Sequence, residues 1–445
     1  KPEFVLQFLL EHDDFFCPVF LHKSMFQKKP DCRVVECNII IDRLECIYKE
    51  VLGAELCNWS CLLNNFYKEE IPNPHLHIHV RPRYKKAVVI NGHAYMDAEF
   101  AHHYALKKEK RTEESVYGTK KEKLGKATEY REVTDKYDCF TVGEAPMMTP
   151  DNALKYVDEK KKELDMMFHF QHIEADAFLI DFLQTKFKLK EMKKAFTNWQ
   201  NKLNGRAWNT LYIENHDHPR IISRYGSEKY RVESGKMLAN MYMLQQGTPF
   251  VYQGQELGML NTRLDSIDDY VDCFVKNNYE VAINKLHMNK KKAFEFAVKS
   301  TRDNSRTPVQ WDDSKNAGFT TGTPWFPVNK NYKQINAKAE MADPNSIYNH
   351  YKKLIKFKKE NEVAKWGDYK EYYKNSDKLY VYSRSYNGKS MLVINSFSPE
   401  RVPFEAPKGF DLDKGTPILC NYENNFVQQN GFKLRPYEAR VYLFD

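Results

Sequence analysis

A chain of 445 residues, 42% hydrophobic and 14% aromatic, is long enough for about two to four domains with real cores. No run of about eighteen apolar residues occurs, so no transmembrane helix is predicted, and Lys1 to Leu10 lack the layout of a signal peptide. The net charge is +8, but the basic runs Lys107 to Arg111, Lys120 to Lys123 and Lys290 to Lys292 carry no interleaved aromatics. They read as solvated faces and exclude a nucleic-acid surface.

In chain order, the first zone spans residues 1–106 and holds most of the cysteines. Cys17, Cys32, Cys37, Cys46, Cys57 and Cys61 belong to an odd total of nine, with no zinc-finger spacing. Such scattered thiols predict a reducing, cytoplasmic setting, with no metal and no cofactor called for. Pro74 to Tyr84 alternates histidines with apolar residues, so at period two His75, His77 and His79 share one strand face. Three imidazoles so placed can bind metal or phosphate, or supply a nucleophile. The plainer reading is an exposed alternating strand.

Residues 107–137, rich in Lys, Glu, Arg and Thr, read as a charged linker. From 138 to 360, short apolar runs alternate with amphipathic ones. Strands are predicted at Cys139–Val142, Met166–Phe170, Thr210–Ile213 and Pro249–Tyr252. Helices are predicted at Asn152–Leu164, Leu189–Leu203, Glu228–Gln246 and Asn345–Lys359. This alternation implies βαβ units and a parallel sheet, hence an α/β fold. Residues 361–445 change to alternating strands at Lys378–Ser385, Ser390–Phe397, Pro417–Cys420 and Ala439–Phe444, a small antiparallel β-sandwich.

Two acids stand at the carboxyl ends of predicted strands. Glu144 ends Cys139-Phe140-Thr141-Val142-Gly143, and Asp217 follows Asn209 to Ile213 within Glu214-Asn215-His216-Asp217-His218-Pro219-Arg220. In a β/α barrel, catalytic side chains sit where strands end, and paired carboxylates suit hydrolysis of glycosidic bonds. Taken singly, an acid after a strand is ordinarily a helix cap, and His216 is ordinarily a packed histidine.

Together these blocks resemble glycoside hydrolase family 13, the α-amylase family, in its oligo-1,6-glucosidase and α-glucosidase branch, over residues 138–445. Thr141 to Ala145 resembles the acid/base strand and Asn215-His216-Asp217 the Asn-His-Asp motif. Gln246 to Gly254 resembles the last barrel strand, and Arg302 to Trp311 a block of this branch. The resemblance implies a (β/α)8 TIM barrel followed by a β-sandwich. It makes Glu144 the general acid/base, Asp217 the residue gripping sugar hydroxyls in the transition state, and His216 a hydrogen-bond partner of the sugar. Either Arg302 or Arg306 would orient a carboxylate or the sugar. His218 stands where the family usually has Gln, in a loop expected to shape substrate contacts.

The family's nucleophile block is not matched well. The nearest string is Gly92-His93-Ala94-Tyr95-Met96-Asp97-Ala98, with Tyr95 where the family places an arginine. Four barrel strands are predicted instead of eight, so only the C-terminal half of a barrel is expected, with exposed edges open to self-association. Residues from about 40 to 106 resemble the histidine-triad family. That likeness implies His77 as nucleophile, His75 and His79 in support, and a nucleotide partner; Arg81 departs from the triad's final hydrophobic position.

The expected function is therefore retaining hydrolysis of short α-glucosides, impaired by the missing half-barrel. The alternatives are a histidine-triad nucleotide hydrolase or a non-catalytic chimera. The sequence does not choose among α-1,6, α-1,4 and trehalose-6-phosphate substrates.

Overall fold

The computed structural model describes residues 134, 139–160, 163–176, 186–423 and 431–445 in full, and elsewhere the backbone of short strands. It divides into two compact units, Lys1–Phe168 and His169–Asp445.

In the first unit, β1 (Leu6–Leu9), β4 (Thr141–Glu144) and β5 (Met166–Phe168) form a parallel sheet with β4 in the middle. Between β4 and β5 runs α1 (Pro150–Val157). Pro150 opens it, and Thr149 caps it by accepting the Asn152 N–H. Thr141 and Asp165 latch the sheet reciprocally. Asp165 accepts the Thr141 N–H at 2.7 Å and its hydroxyl at 3.0 Å, and Thr141 Oγ1 accepts the Asp165 N–H at 3.0 Å. Elsewhere β2 (Leu56–Cys61) pairs antiparallel with β3 (Ile78–Arg83). Of the three aligned histidines only His79 falls in a described strand, opposite Ser60; His75 and His77 lie outside the described residues, as does 107–137 apart from Thr134.

In the second unit, α2 (Leu189–Leu203) has the bounds its pattern predicts. Leu189, Met192, Phe196, Trp199 and Leu203 recur every three or four residues and are buried. β6 (Thr210–Leu211) pairs in parallel with β7 (Thr248–Pro249), and α3 (Ile221–Tyr225) and α4 (Arg231–Met243) run between them. Gly247 makes this pairing possible: its φ is +136°, and a Cβ there would lie 2.4 Å from the Asn209 carbonyl oxygen. The four predicted barrel strands thus form two parallel pairs, β4–β5 and β6–β7, in different units.

Beyond β7 come α5 (Cys273–Asn284), α6 (Lys290–Lys299), α7 (Asp303–Arg306), α8 (Ala337–Ala342), α9 (Ile347–Glu360) and α10 (Glu362–Trp366). The tail is a five-stranded antiparallel sheet. It contains β8 (Lys370–Tyr372), β9 (Leu379–Tyr386), β10 (Lys389–Ser396), β12 (Thr416–Cys420) and β14 (Ala439–Phe444), in the order β8-β9-β10-β14-β12. β11 (Val402–Phe404) and β13 (Phe432–Leu434) form a second, two-stranded sheet.

Alternation along the strands sorts two cores. Tyr380, Tyr382, Met391, Val393 and Val441 pack with Met237, Met241 and Leu354 of the helices. Leu379, Val381, Leu392 and Ile394 pack with Phe404 and Leu434 of the small sheet. With both faces covered, the central strands are buried along almost their whole length.

Buried cations tie the elements together through main-chain carbonyls. Lys193 of α2 donates to Tyr373, Ser376 and Leu379 at the sheet, and Lys358 of α9 donates to Met243 and Gln245 at the end of α4, joining helix to helix. Arg384 reaches Leu244 at 2.8 Å and Gly367 at 2.6 Å. Burial lowers the Arg384 pKa to about 10, against the opposing pull of Tyr382 and Asp368, so it remains charged at neutral pH. Arg384→Met orphans several buried carbonyls and is expected to lower unfolding stability by about 3 kcal/mol or more. Urea titration checks this through a reduced midpoint at an unchanged m-value.

Candidate active site

The Asn-His-Asp loop leaves β6 held from behind by histidines. His172 Nε2 lies 2.6 Å from the Tyr212 carbonyl oxygen, and the Tyr212 hydroxyl donates to the His169 carbonyl at 2.8 Å. His169 stacks on Trp199 with ring centroids 3.9 Å apart. Burial drives His169 well below the usual imidazole range and His172 down to about 3.

Glu214 is the first turn of the loop. One carboxylate oxygen accepts the Ile221 N–H at 2.8 Å, starting α3. The other accepts from the Arg220 guanidinium at 3.1 Å. Burial raises the Glu214 pKa, and Arg220 and the Ile221 N–H work against that rise. Arg220, with 0% of its surface exposed, also donates to the Gln253 carbonyl at 2.8 Å and the Ser305 carbonyl at 3.4 Å. It thereby joins three segments distant in sequence. Gly254, at φ +85°, leaves room for this, since a Cβ would meet Met259 Sδ at 2.4 Å and the Arg220 guanidinium at 3.2 Å.

Asn215 shapes the tip, its side-chain oxygen accepting the Asp217 N–H at 3.0 Å and lying 2.8 Å from His218 Nδ1. Asp217 is thus presented with a third of its side chain exposed. His216 Nε2 lies 3.1 Å from one of its oxygens. Arg306 donates to the other at 2.7 Å, while its Nε donates to the His216 carbonyl at 2.8 Å.

The choice between the two arginines has a geometric answer. Arg306 contacts Asp217 directly, whereas Arg302 stands 3.8 Å from Asp217 and gives its closer bonds to Asp272, at 2.8 and 3.2 Å. Burial works against ionisation of Asp272, but hydrogen bonds from the Arg302 side chain and backbone outweigh it and lower the pKa. Asp303 accepts the Val271 and Asp272 N–H groups, so the segments before α5 and around α7 lock each other.

One expectation is corrected. His218, expected to line the substrate loop, is buried beside Phe170. Burial, then Arg224 and the neighbouring histidines, hold it well below the usual range, so it is a neutral packing residue. Glu214 and Arg220, quoted as the ends of the motif, were given no role from sequence, and Asp272 was not singled out. Glu214 and Arg220 bracket the motif and could have been suspected from that. Asp272, thirty residues from Arg302, carries no local signal.

Asp217, His216, Arg306 and Arg302 therefore come together in the second unit. Glu144 belongs to the first unit, at the carboxyl end of β4, where it is buried and pairs in register with Leu9 and Phe168.

A family model described as alpha amylase, catalytic domain, matches residues 96–367. The chain belongs to the alpha-amylase family. The match begins at Met96, ahead of the expected start at 138, so the charged 107–137 segment lies within it and Asp97 is its second residue. An oligo-1,6-glucosidase of Parageobacillus thermoglucosidasius is 42% identical over 315 residues, covering 70% of this chain and 56% of that protein. A trehalose-6-phosphate hydrolase of Bacillus subtilis is 40% identical over 315 residues, with the same coverage.

Among solved structures, trehalose-6-phosphate hydrolase of Bacillus licheniformis aligns with TM-score 0.70 at 38% identity, covering 74% of this chain and 60% of that one. The structural neighbours are TIM-barrel enzymes. The chain spans a little over half the length of the curated relatives it matches. These likenesses support the alpha-amylase reading; the histidine-triad likeness, the nucleotide partner, self-association and the expected impairment receive no support from them. Among the described residues no helix is long and apolar enough to cross a membrane.

The neutral histidines carry a pH signature. An unfolded histidine takes up a proton below about pH 6.5, while folded His172 resists until about 3. Its contribution is complete above the unfolded value and is lost as pH falls through that window, by about 1.4 kcal/mol per pH unit. His172→Gln is expected to flatten the fall in urea midpoint between about pH 6 and pH 4.

Proposed function

We propose that this protein is a retaining α-glucosidase acting on short α-glucosides. The observation that carries the reading is the partly exposed Asp217, clamped by Arg306 and flanked by His216 where β6 ends, in a chain of this family. A carboxylate so held can accept hydrogen bonds from sugar hydroxyls, while His216 offers a second polar contact. Arg306 fixes the carboxylate's orientation. Arg302, anchored on Asp272 and under Phe274 with its guanidinium 4.8 Å from the ring, supplies positive charge at the rim.

The chemistry divides between two further acids. Glu144 protonates the departing glycosidic oxygen, and a second carboxylate attacks the anomeric carbon to give a glycosyl ester. Water, deprotonated by Glu144, then releases the sugar with its configuration retained. Asp97, inside the family match although outside the described residues, is the candidate for that attack. The relatives named as oligo-1,6-glucosidases favour isomaltose-like substrates over other linkages. The thiols of Cys273 and Cys420, which form no disulfide among the described residues, are compatible with a reducing cytoplasm.

Asp217→Asn and Asp97→Asn are each expected to lower kcat by about 10³-fold or more on p-nitrophenyl α-glucoside and on isomaltose. Glu144→Gln is expected to impair isomaltose far more than the p-nitrophenyl substrate, whose leaving group needs little protonation. Steady-state kinetics on both substrates decide. Absence of hydrolysis by the native chain above the Asp217→Asn background removes the glucosidase reading, and equal loss on both substrates removes Glu144 as the acid.

A further inference from the structure

A cavity of about 280 Å³ lies within the second unit between α4, the start of α9 and the turn after β12. None of Asp217, His216, Arg302 or Arg306 lines it. Lys236 of α4 does, although it is only 6% exposed. Among the described residues its ammonium has no hydrogen-bond acceptor and no ion pair. The carboxylates that act on it at longer range are Asp343, Glu233 and Glu340. Two of these are engaged elsewhere, since Glu340 pairs with Arg231 at 2.7 Å and Asp343 accepts the Asn345 N–H at 2.8 Å.

A second cation, Lys353 of α9, lines the same space. The two lysines act together on His350, a third lining residue, whose pKa burial and then their charges lower to about 3. The leading N–H groups of α9 are already taken, by Glu340 for Ile347 and by Ser346 for Asn349. The pull on an anion therefore comes from the two ammonium groups. At the rim Glu423 is held by the Asn345 side chain.

We propose that this cavity binds a small phosphoryl-bearing anion between Lys236 and Lys353. Lys236 is a buried residue whose ammonium opens onto the cavity with no acceptor among the described residues, so an anion there would complete it, and a phosphoryl group offers enough acceptor oxygens for two lysines. The volume exceeds what a phosphate alone occupies, so the same site has room for a phosphorylated sugar.

Isothermal titration of the full chain with inorganic phosphate, at constant ionic strength set with chloride, tests the proposal. Saturable binding is expected, weakened about tenfold or more in Lys236→Met and also weakened in Lys353→Met. Without phosphate, Lys236→Met is expected to melt at or above the native temperature, because a charge that burial disfavours is gone. The exposed Lys353 keeps the test available should the Lys236 variant misfold. Glucose 6-phosphate separates the two sources: a tighter, Lys236-dependent affinity assigns a sugar phosphate, and an equal one assigns free phosphate. No saturable binding of either anion, or affinity unchanged in both lysine variants, overturns the proposal.

Discussion

Behind the Asn-His-Asp loop, the Arg220 guanidinium lies sealed from water against Glu214 and two main-chain carbonyls. An isolated charge could not persist there, and a partnered one is strengthened by the low dielectric around it. The bonds to Gln253 and Ser305 set where two other segments approach the loop, and the Tyr252 hydroxyl adds a second donor to the same Ser305 carbonyl at 3.1 Å. Arg306 follows Ser305 directly. The position of the residue that grips Asp217 is thus decided by a cation that never touches it.

The electrostatics around Asp217 follow a division of labour. Arg306 is committed to Asp217, while Arg302 is committed to Asp272 and reaches Asp217 only at 3.8 Å. Behind the loop, burial keeps His169, His172 and His218 neutral, so the imidazoles there add packing and hydrogen bonds without adding charge. The carboxylate faces solvent with one strong cationic contact and one histidine. That leaves acceptor capacity for an incoming hydroxyl.

How far the sequence carried depended on whether a feature is local. α2 and the strands β9, β10 and β14 could be placed within a residue or two, because burial on one or two faces imposes a period that composition displays. β11 and β13 could not, being three residues long, too short for any period. Asp217 and His216 stood out because their motif is contiguous. Asp272 did not, since its partners come from a segment thirty residues on. His218 was misjudged because adjacency in sequence was taken for a shared environment, whereas its ring turns inward to Phe170.

The seam between the helices and the C-terminal sheet has an evolutionary asymmetry built into it. Lys193 and Arg384 direct their donors mainly at main-chain carbonyls, which every amino acid provides. Residues on the accepting side can therefore drift in identity while the bonds persist, so long as the backbone path is kept. The two cations have no such freedom, since no apolar side chain can supply those donors. Divergence across this seam should be one-sided, with variation tolerated where the bonds are received and resisted where they are given.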